Sequence, residues 1–102
     1  MFYIYILYST NADKYYVGHS QDPWHRLEQH NTAWTTKYTG KQGKWSLQAV
    51  FQVSEDRGET VKLESFIKRQ KSRKLIERLI DVDFEPTGKL AQLVRVPQVR
   101  KW

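Results

Sequence analysis

The sequence predicts an α+β domain: a small, mostly antiparallel three-stranded sheet flanked by helices. Two runs rich in aromatic and β-branched residues, Phe2 to Tyr8 and Tyr15 to Gly18, bracket the turn-forming stretch Ser9-Thr10-Asn11-Ala12-Asp13-Lys14. That pattern is a hairpin. Further on, Leu47, Ala49, Phe51 and Val53 alternate with Ser46, Gln48, Val50 and Gln52, the period of a half-buried third strand. After the hairpin and again after this strand, apolar residues recur at helical spacing.

The first helix opens at Asp22-Pro23. Asp serves as N-cap, and Pro takes the first helical position, where its missing N–H costs nothing. Trp24 and Leu27, three apart, form its inward stripe, while Arg26 and His30, four apart, share another face. Thr32 to Lys44 is polar, contains Gly40 and Gly43, and reads as a loop. Ser54 to Gly58 turns the chain into a second helix, Glu59 to Gln70, with Leu63, Phe66, Ile67 and Gln70 on one side and Glu64 at the edge of that side. Ser72 caps a third helix, Arg73 to Ile80, whose Leu75, Ile76, Leu79 and Ile80 face inward. The pattern then changes, which divides the chain into a domain over residues 1–82 and a tail over 83–102. Leu90 to Val96 has strand composition, so the tail is a candidate added edge strand.

At 102 residues the chain is long enough for one core. It has no cysteine, which removes disulfides, zinc–thiolate sites and thiol nucleophiles and fits a cytoplasmic setting. Phe2 to Tyr8 is far short of the ~20 apolar residues that span a bilayer, so no membrane role is expected. There are 17 Lys plus Arg against 11 Asp plus Glu, and the net charge is +6. Much of the surplus is local: residues 62, 68, 69, 71, 73, 74 and 78 are basic, against Glu64 and Glu77. Such a stripe suits a phosphate backbone, although a solvated helical face has the same composition.

Tyr5, Tyr16-Val17-Gly18 and Arg26 resemble, in type and spacing, the signature of the GIY-YIG nuclease family, and the small single-domain bacterial members in particular. Glu64 extends the resemblance to roughly residue 80. The first triplet departs from the signature, since Tyr3 stands where the family has Gly. The resemblance implies the GIY-YIG fold and a metal-dependent endonuclease that leaves 5′-phosphate and 3′-hydroxyl ends. It implies Glu64 as the metal ligand, with Glu59 the fallback, and Mg²⁺ or Mn²⁺ as the cation. One carboxylate is enough, because Mg²⁺ keeps much of its water and accepts few protein ligands.

Arg26 is the expected scissile-phosphate contact, its planar fork matching two oxygens. Tyr5 is the expected general base and Tyr16 the group that positions water or phosphate, although strand tyrosines usually just pack. His19 stands where many relatives carry a lysine, and His30 where relatives often have His or Tyr; either can donate to phosphate or accept a proton. Lys37 in the loop and Lys68, Lys71, Arg73 and Lys74 on the later helices are candidate backbone contacts, which position a strand without reading its sequence. Low sequence specificity follows, with DNA preferred to RNA as partner. For Glu64 the structural alternative is a surface pair with Lys68, worth only ~0.3–0.5 kcal/mol. For the whole chain the alternatives are a catalytically inactive nucleic-acid-binding module of the same fold and, behind it, an assembly protein.

Overall fold

The computed structural model describes residues 1–28 and 45–96. β1 (Phe2–Ser9) and β2 (Lys14–Ser20) form the expected hairpin, and β3 (Trp45–Ser54) pairs with the other side of β1. Helix α1 starts at residue 23 and is described to 28; the Asp22 carboxylate accepts from the His25 N–H at 3.1 Å, as an N-cap should. Helices α2 (Arg57–Arg69) and α3 (Arg73–Ile80) follow, capped by Asp56 and Ser72.

The sheet has four strands and not three. β4 (Val94–Arg95) pairs antiparallel with β3, giving the order β2-β1-β3-β4, antiparallel throughout. The first part of the stretch expected as a strand, Leu90 to Gln92, instead belongs to a 3₁₀ turn, Gly88–Gln92, followed by Leu93. This turn places Leu90 and Leu93 in the core. The tail therefore closes the same core that the first 82 residues build.

Both faces of the sheet are covered. On one, Ile4, Ile6, Val17, Ala49 and Phe51 pack with Leu63 and Ile67 of α2, Leu79 of α3, and the two tail leucines. On the other, Tyr5, Leu7, Trp45, Leu47 and Val50 pack with Tyr16 and with Trp24 and Leu27 of α1. The simple alternation read for β3 fails here. Leu47 pairs with Leu7 and Ala49 with Ile6, which leaves Gln48 as an extra residue in a bulge. The bulge moves Leu47 to the α1 side, where Val50 already lies by alternation, while Ala49 and Phe51 stay on the side of α2 and α3. A period-two reading assumes an unbroken register, and one inserted residue reverses the facing beyond it.

Two contacts fix the parts that carry chemistry. Tyr3, the residue in place of the signature glycine, meets Trp24 edge-to-face at 5.8 Å and so holds α1 against the sheet. At the hairpin tip Asp13 accepts from Tyr8 at 2.7 Å and from Arg73 at 2.6 Å, which staples the β1–β2 turn to the start of α3.

Candidate active site

The β1–β2 register sets Tyr5 directly opposite Gly18. A Cβ at Gly18 would lie 2.6 Å from the Tyr5 hydroxyl oxygen and 2.9 Å from a ring carbon of Tyr16. The glycine is therefore the space in which the Tyr5 ring lies. Tyr5 is fully buried and Tyr16 half-buried, with ring centroids 6.2 Å apart. Arg26 reaches this pair from the exposed side of α1 and hydrogen-bonds the Tyr5 phenol.

Glu64 enters from α2 at the other side. It is 8% exposed, little for a carboxylate, and both of its oxygens are engaged. Oε1 is 2.8 Å from Nδ1 of His19, and Oε2 is 3.3 Å from Nζ of Lys68. The Lys68 ammonium also stands 5.6 Å from the centroid of the Tyr16 ring, a cation–π distance.

The Tyr5 phenol is pushed above its ordinary value of 10, first by burial. The hydrogen bond and the charge of Arg26 pull it down, while Tyr16 and the Glu64 carboxylate push it up. Three of the groups picked from the sequence, Arg26, Tyr16 and Glu64, thus act on the phenol of the fourth, Tyr5. Two phenols, a guanidinium and a carboxylate, from β1, β2, α1 and α2, converge beside the β1–β2 hairpin.

The remaining candidates fall in several places. His19 is in the cluster as the partner of Glu64. Lys68 is also in the cluster, closer to the chemistry than a backbone contact would be. Lys71 lies at the α2–α3 junction, and Lys74 is exposed on α3. Arg73 is occupied by Asp13, by Glu77 at 3.3 Å, and by the Tyr15 ring at 5.1 Å, so its guanidinium serves the hairpin staple. Glu59 accepts from Ser54 at 2.9 Å and lines a separate groove with Lys62 and Phe66, apart from the cluster. His25 is exposed beside Glu28, away from His19. His30 and Lys37 lie outside the described residues.

Among the described residues no group of three or more His, Asp or Glu could hold a metal on its own. The donor set that is present still fits Mg²⁺ or Mn²⁺. A single carboxylate, oriented by His19 through one oxygen, has its other oxygen paired to Lys68, whose side chain is 49% exposed. Such a lysine can swing away, and the remaining ligands would be water and substrate phosphate.

The sequence did not reveal the His19–Glu64 pair, because 45 residues separate them. Nor did it reveal that Lys68 spans Glu64 and Tyr16. The i,i+4 spacing of Glu64 and Lys68 was the available signal, and it reads equally well as a surface pair.

No helix among the described residues is long and apolar enough to cross a membrane. A family model described as the GIY-YIG catalytic domain matches residues 1–77 of the 102. No curated protein and no solved structure matches the chain.

Proposed function

The chain belongs to the GIY-YIG catalytic domain family, nucleases that act on nucleic acid, and from that membership we propose a metal-dependent endonuclease of low sequence specificity, with DNA as substrate. The single observation that carries the reading is the convergence of Arg26, Tyr16 and Glu64 on the Tyr5 phenol.

Arg26 takes two oxygens of the scissile phosphate and offsets the charge that builds on them in the pentacoordinate state. Glu64 holds the cation, and His19 fixes the direction of the carboxylate, making it a positioning residue. When bound, the cation neutralises charge on the phosphoryl and departing oxygens. A water attacks phosphorus, the bond to the 3′-oxygen breaks, and the ends are a 5′-phosphate and a 3′-hydroxyl. Burial keeps Tyr5 protonated, so in this reading it donates to a phosphoryl oxygen. Tyr16 is the phenol that solvent reaches; it positions the attacking water and takes its proton while passing its own to solvent, and a solvent proton completes the 3′-hydroxyl. This reverses the roles expected from the sequence, because burial separates two residues that look alike in a strand. The cations beside the site are of the kind that meets a backbone and not base edges, which supports low specificity. A chain without cysteine suits the cytoplasm as its setting.

The test is incubation with end-labelled single- and double-stranded DNA and RNA, with Mg²⁺ or Mn²⁺ and with chelator. Cleavage is expected only with metal, and Glu64→Ala and Arg26→Ala are expected to abolish it. Undiminished cleavage by both variants would place the chemistry elsewhere. One observation favours a second reading: both oxygens of Glu64 are already capped by His19 and Lys68. If Lys68 does not yield to a cation, the domain binds nucleic acid without cutting, and the same assay then shows a salt-sensitive complex and no product.

A further inference from the structure

Between β2 and the α2–α3 junction runs an open groove of about 450 Å³ that the catalytic reading does not use. Its floor is apolar, with Val17 of β2 facing Ile67 of α2 and Ile76 of α3. Its rim carries Lys14, Lys68 and Lys71. Among the described residues Asp13 is the only carboxylate that lines it, and that charge is already spent on Arg73 and Tyr8 within the hairpin staple. Lys14 and Lys71 are exposed, and neither has an ion-pair partner among the described residues.

The backbone marks the same place. Among the described residues, the two non-glycine positions with positive φ are Asp13 (52°) and Lys71 (48°), and both line this groove. Left-handed backbone is costly for residues with a Cβ, and such positions gather where a binding site needs a particular presentation. At one end the groove meets the candidate active site, because Tyr16 and Lys68 line it as well.

We infer that this groove is a second subsite, holding the strand next to the scissile phosphate, with Lys14 and Lys71 as its phosphate contacts and Lys68 as the junction between the two sites. The inference rests on the nuclease reading and adds where the substrate runs. Two observations select the occupant. The rim is cationic and without free carboxylates, so it suits a polyanion. The groove is also continuous with the place where a phosphodiester would be cut. A strand can lay its sugars on the apolar floor while its phosphates turn to the ammonium groups.

The test uses the full chain and the double variant Lys14→Gln, Lys71→Asn, since asparagine accepts the left-handed backbone. Lys62→Gln, Lys89→Gln is the matched loss of two charges; both lysines line the separate groove beside Phe66. Binding of a fluorescent single-stranded oligonucleotide is followed by anisotropy in chelator over a series of salt concentrations. Each lost single-strand phosphate contact lowers the slope of log Kd against log salt by ~0.7. The double variant should therefore lose about 1.4 from that slope. Its oligonucleotide cleavage should fall about tenfold in kcat/KM, as expected when binding away from the reacting centre is lost. Hydrolysis of bis(p-nitrophenyl) phosphate, which fills only the scissile position, should be unchanged.

An unchanged slope in the Lys14→Gln, Lys71→Asn variant overturns the subsite, and so does an equal loss with the Lys62→Gln, Lys89→Gln control. If a poly-glutamate peptide binds as tightly as DNA with the same dependence on the two lysines, the groove belongs to an acidic protein segment and the assignment to nucleic acid falls. If the wild-type chain cuts nothing with any metal, the nuclease reading fails, while the salt slopes still decide the groove.

Discussion

In the proposed mechanism cleavage depends most on Glu64 and Arg26. Glu64→Gln keeps the shape and the hydrogen bond from His19 but removes the charge that would hold the cation in the proposed mechanism. Cleavage should drop by about 10²-fold or more, in line with the loss of one preorganised electrostatic partner. Arg26→Lys should fare little better than Arg26→Ala, because an ammonium cannot form the two-pronged contact. Single-turnover cleavage of a labelled oligonucleotide measures both, and near-wild-type rates in Arg26→Lys would show that a point charge is enough. Tyr5 offers a readout that needs no substrate. Its phenol holds its proton more tightly in the folded chain than in the unfolded one, chiefly through burial. The stability this gives is fully present below the ordinary value of 10 and is lost as pH rises through the higher folded value. The wild type should therefore lose urea resistance above pH 10 more steeply than Tyr5→Phe, and parallel pH profiles would contradict the burial argument. These candidates came from the resemblance of Tyr5, Tyr16-Val17-Gly18 and Arg26 to the family signature, since strand periodicity alone reads the two tyrosines as packing residues. What surrounds them was not legible: pairings such as His19 with Glu64 cross 45 residues, and nothing local encodes them.

At the scale of elements, the hairpin does two jobs. Its register brings Gly18 under Tyr5, and its tip is tied to α3. Gly18→Ala would push a methyl to 2.6–2.9 Å from both tyrosines. Overpacking of this kind costs about 1–3 kcal/mol. The displaced phenols should lower activity further than that loss of stability explains, and comparing the cleavage rate with the urea midpoint of the same variant separates the two effects. The tip responds to acid. Arg73, and then Tyr8, hold the Asp13 carboxyl below its ordinary value of 3.8. The staple is in place above that value and is lost as pH falls through the lower folded value. Asp13→Asn should therefore remove part of the acid sensitivity of the hairpin amides in hydrogen exchange, and an unchanged exchange profile would mean that the ion pair adds nothing. Strand and helix positions were readable from alternation and caps, Asp22 and Ser72 among them, whereas Asp56 was read into a turn and caps a helix that starts at Arg57. The Gln48 bulge left no mark in composition, since hydrophobic residues on both sides of it find a covered face.

For the whole molecule, the family match ends at residue 77, but the core does not. Leu90 is 9% exposed and Leu93 5%, and both belong to the cluster built by Ile4, Phe51, Leu63 and Leu79. Arg95 donates to the backbone carbonyls of Leu79 and Asp81 and lies 5.0 Å from the Phe51 ring. It ties the last strand to the end of α3 and to β3. The tail thus covers the sheet face against which α2, the carrier of Glu64 and Lys68, is packed. Truncating a buried leucine to alanine costs about 2–5 kcal/mol. A domain of this size has a total stability of only about 5–15 kcal/mol. Leu90→Ala combined with Leu93→Ala should therefore lower the urea midpoint severely, and a chain ending at residue 86 should be partly unfolded without denaturant. The position of α2 sets the second half of the prediction. As the tail is lost, cleavage should fall in step with the folded fraction, because Glu64 reaches Tyr5 only while α2 is seated on the sheet. A truncated chain with the wild-type midpoint and wild-type cleavage would show that residues 1–86 hold α2 in place unaided, and that the packed tail contributes nothing to the site.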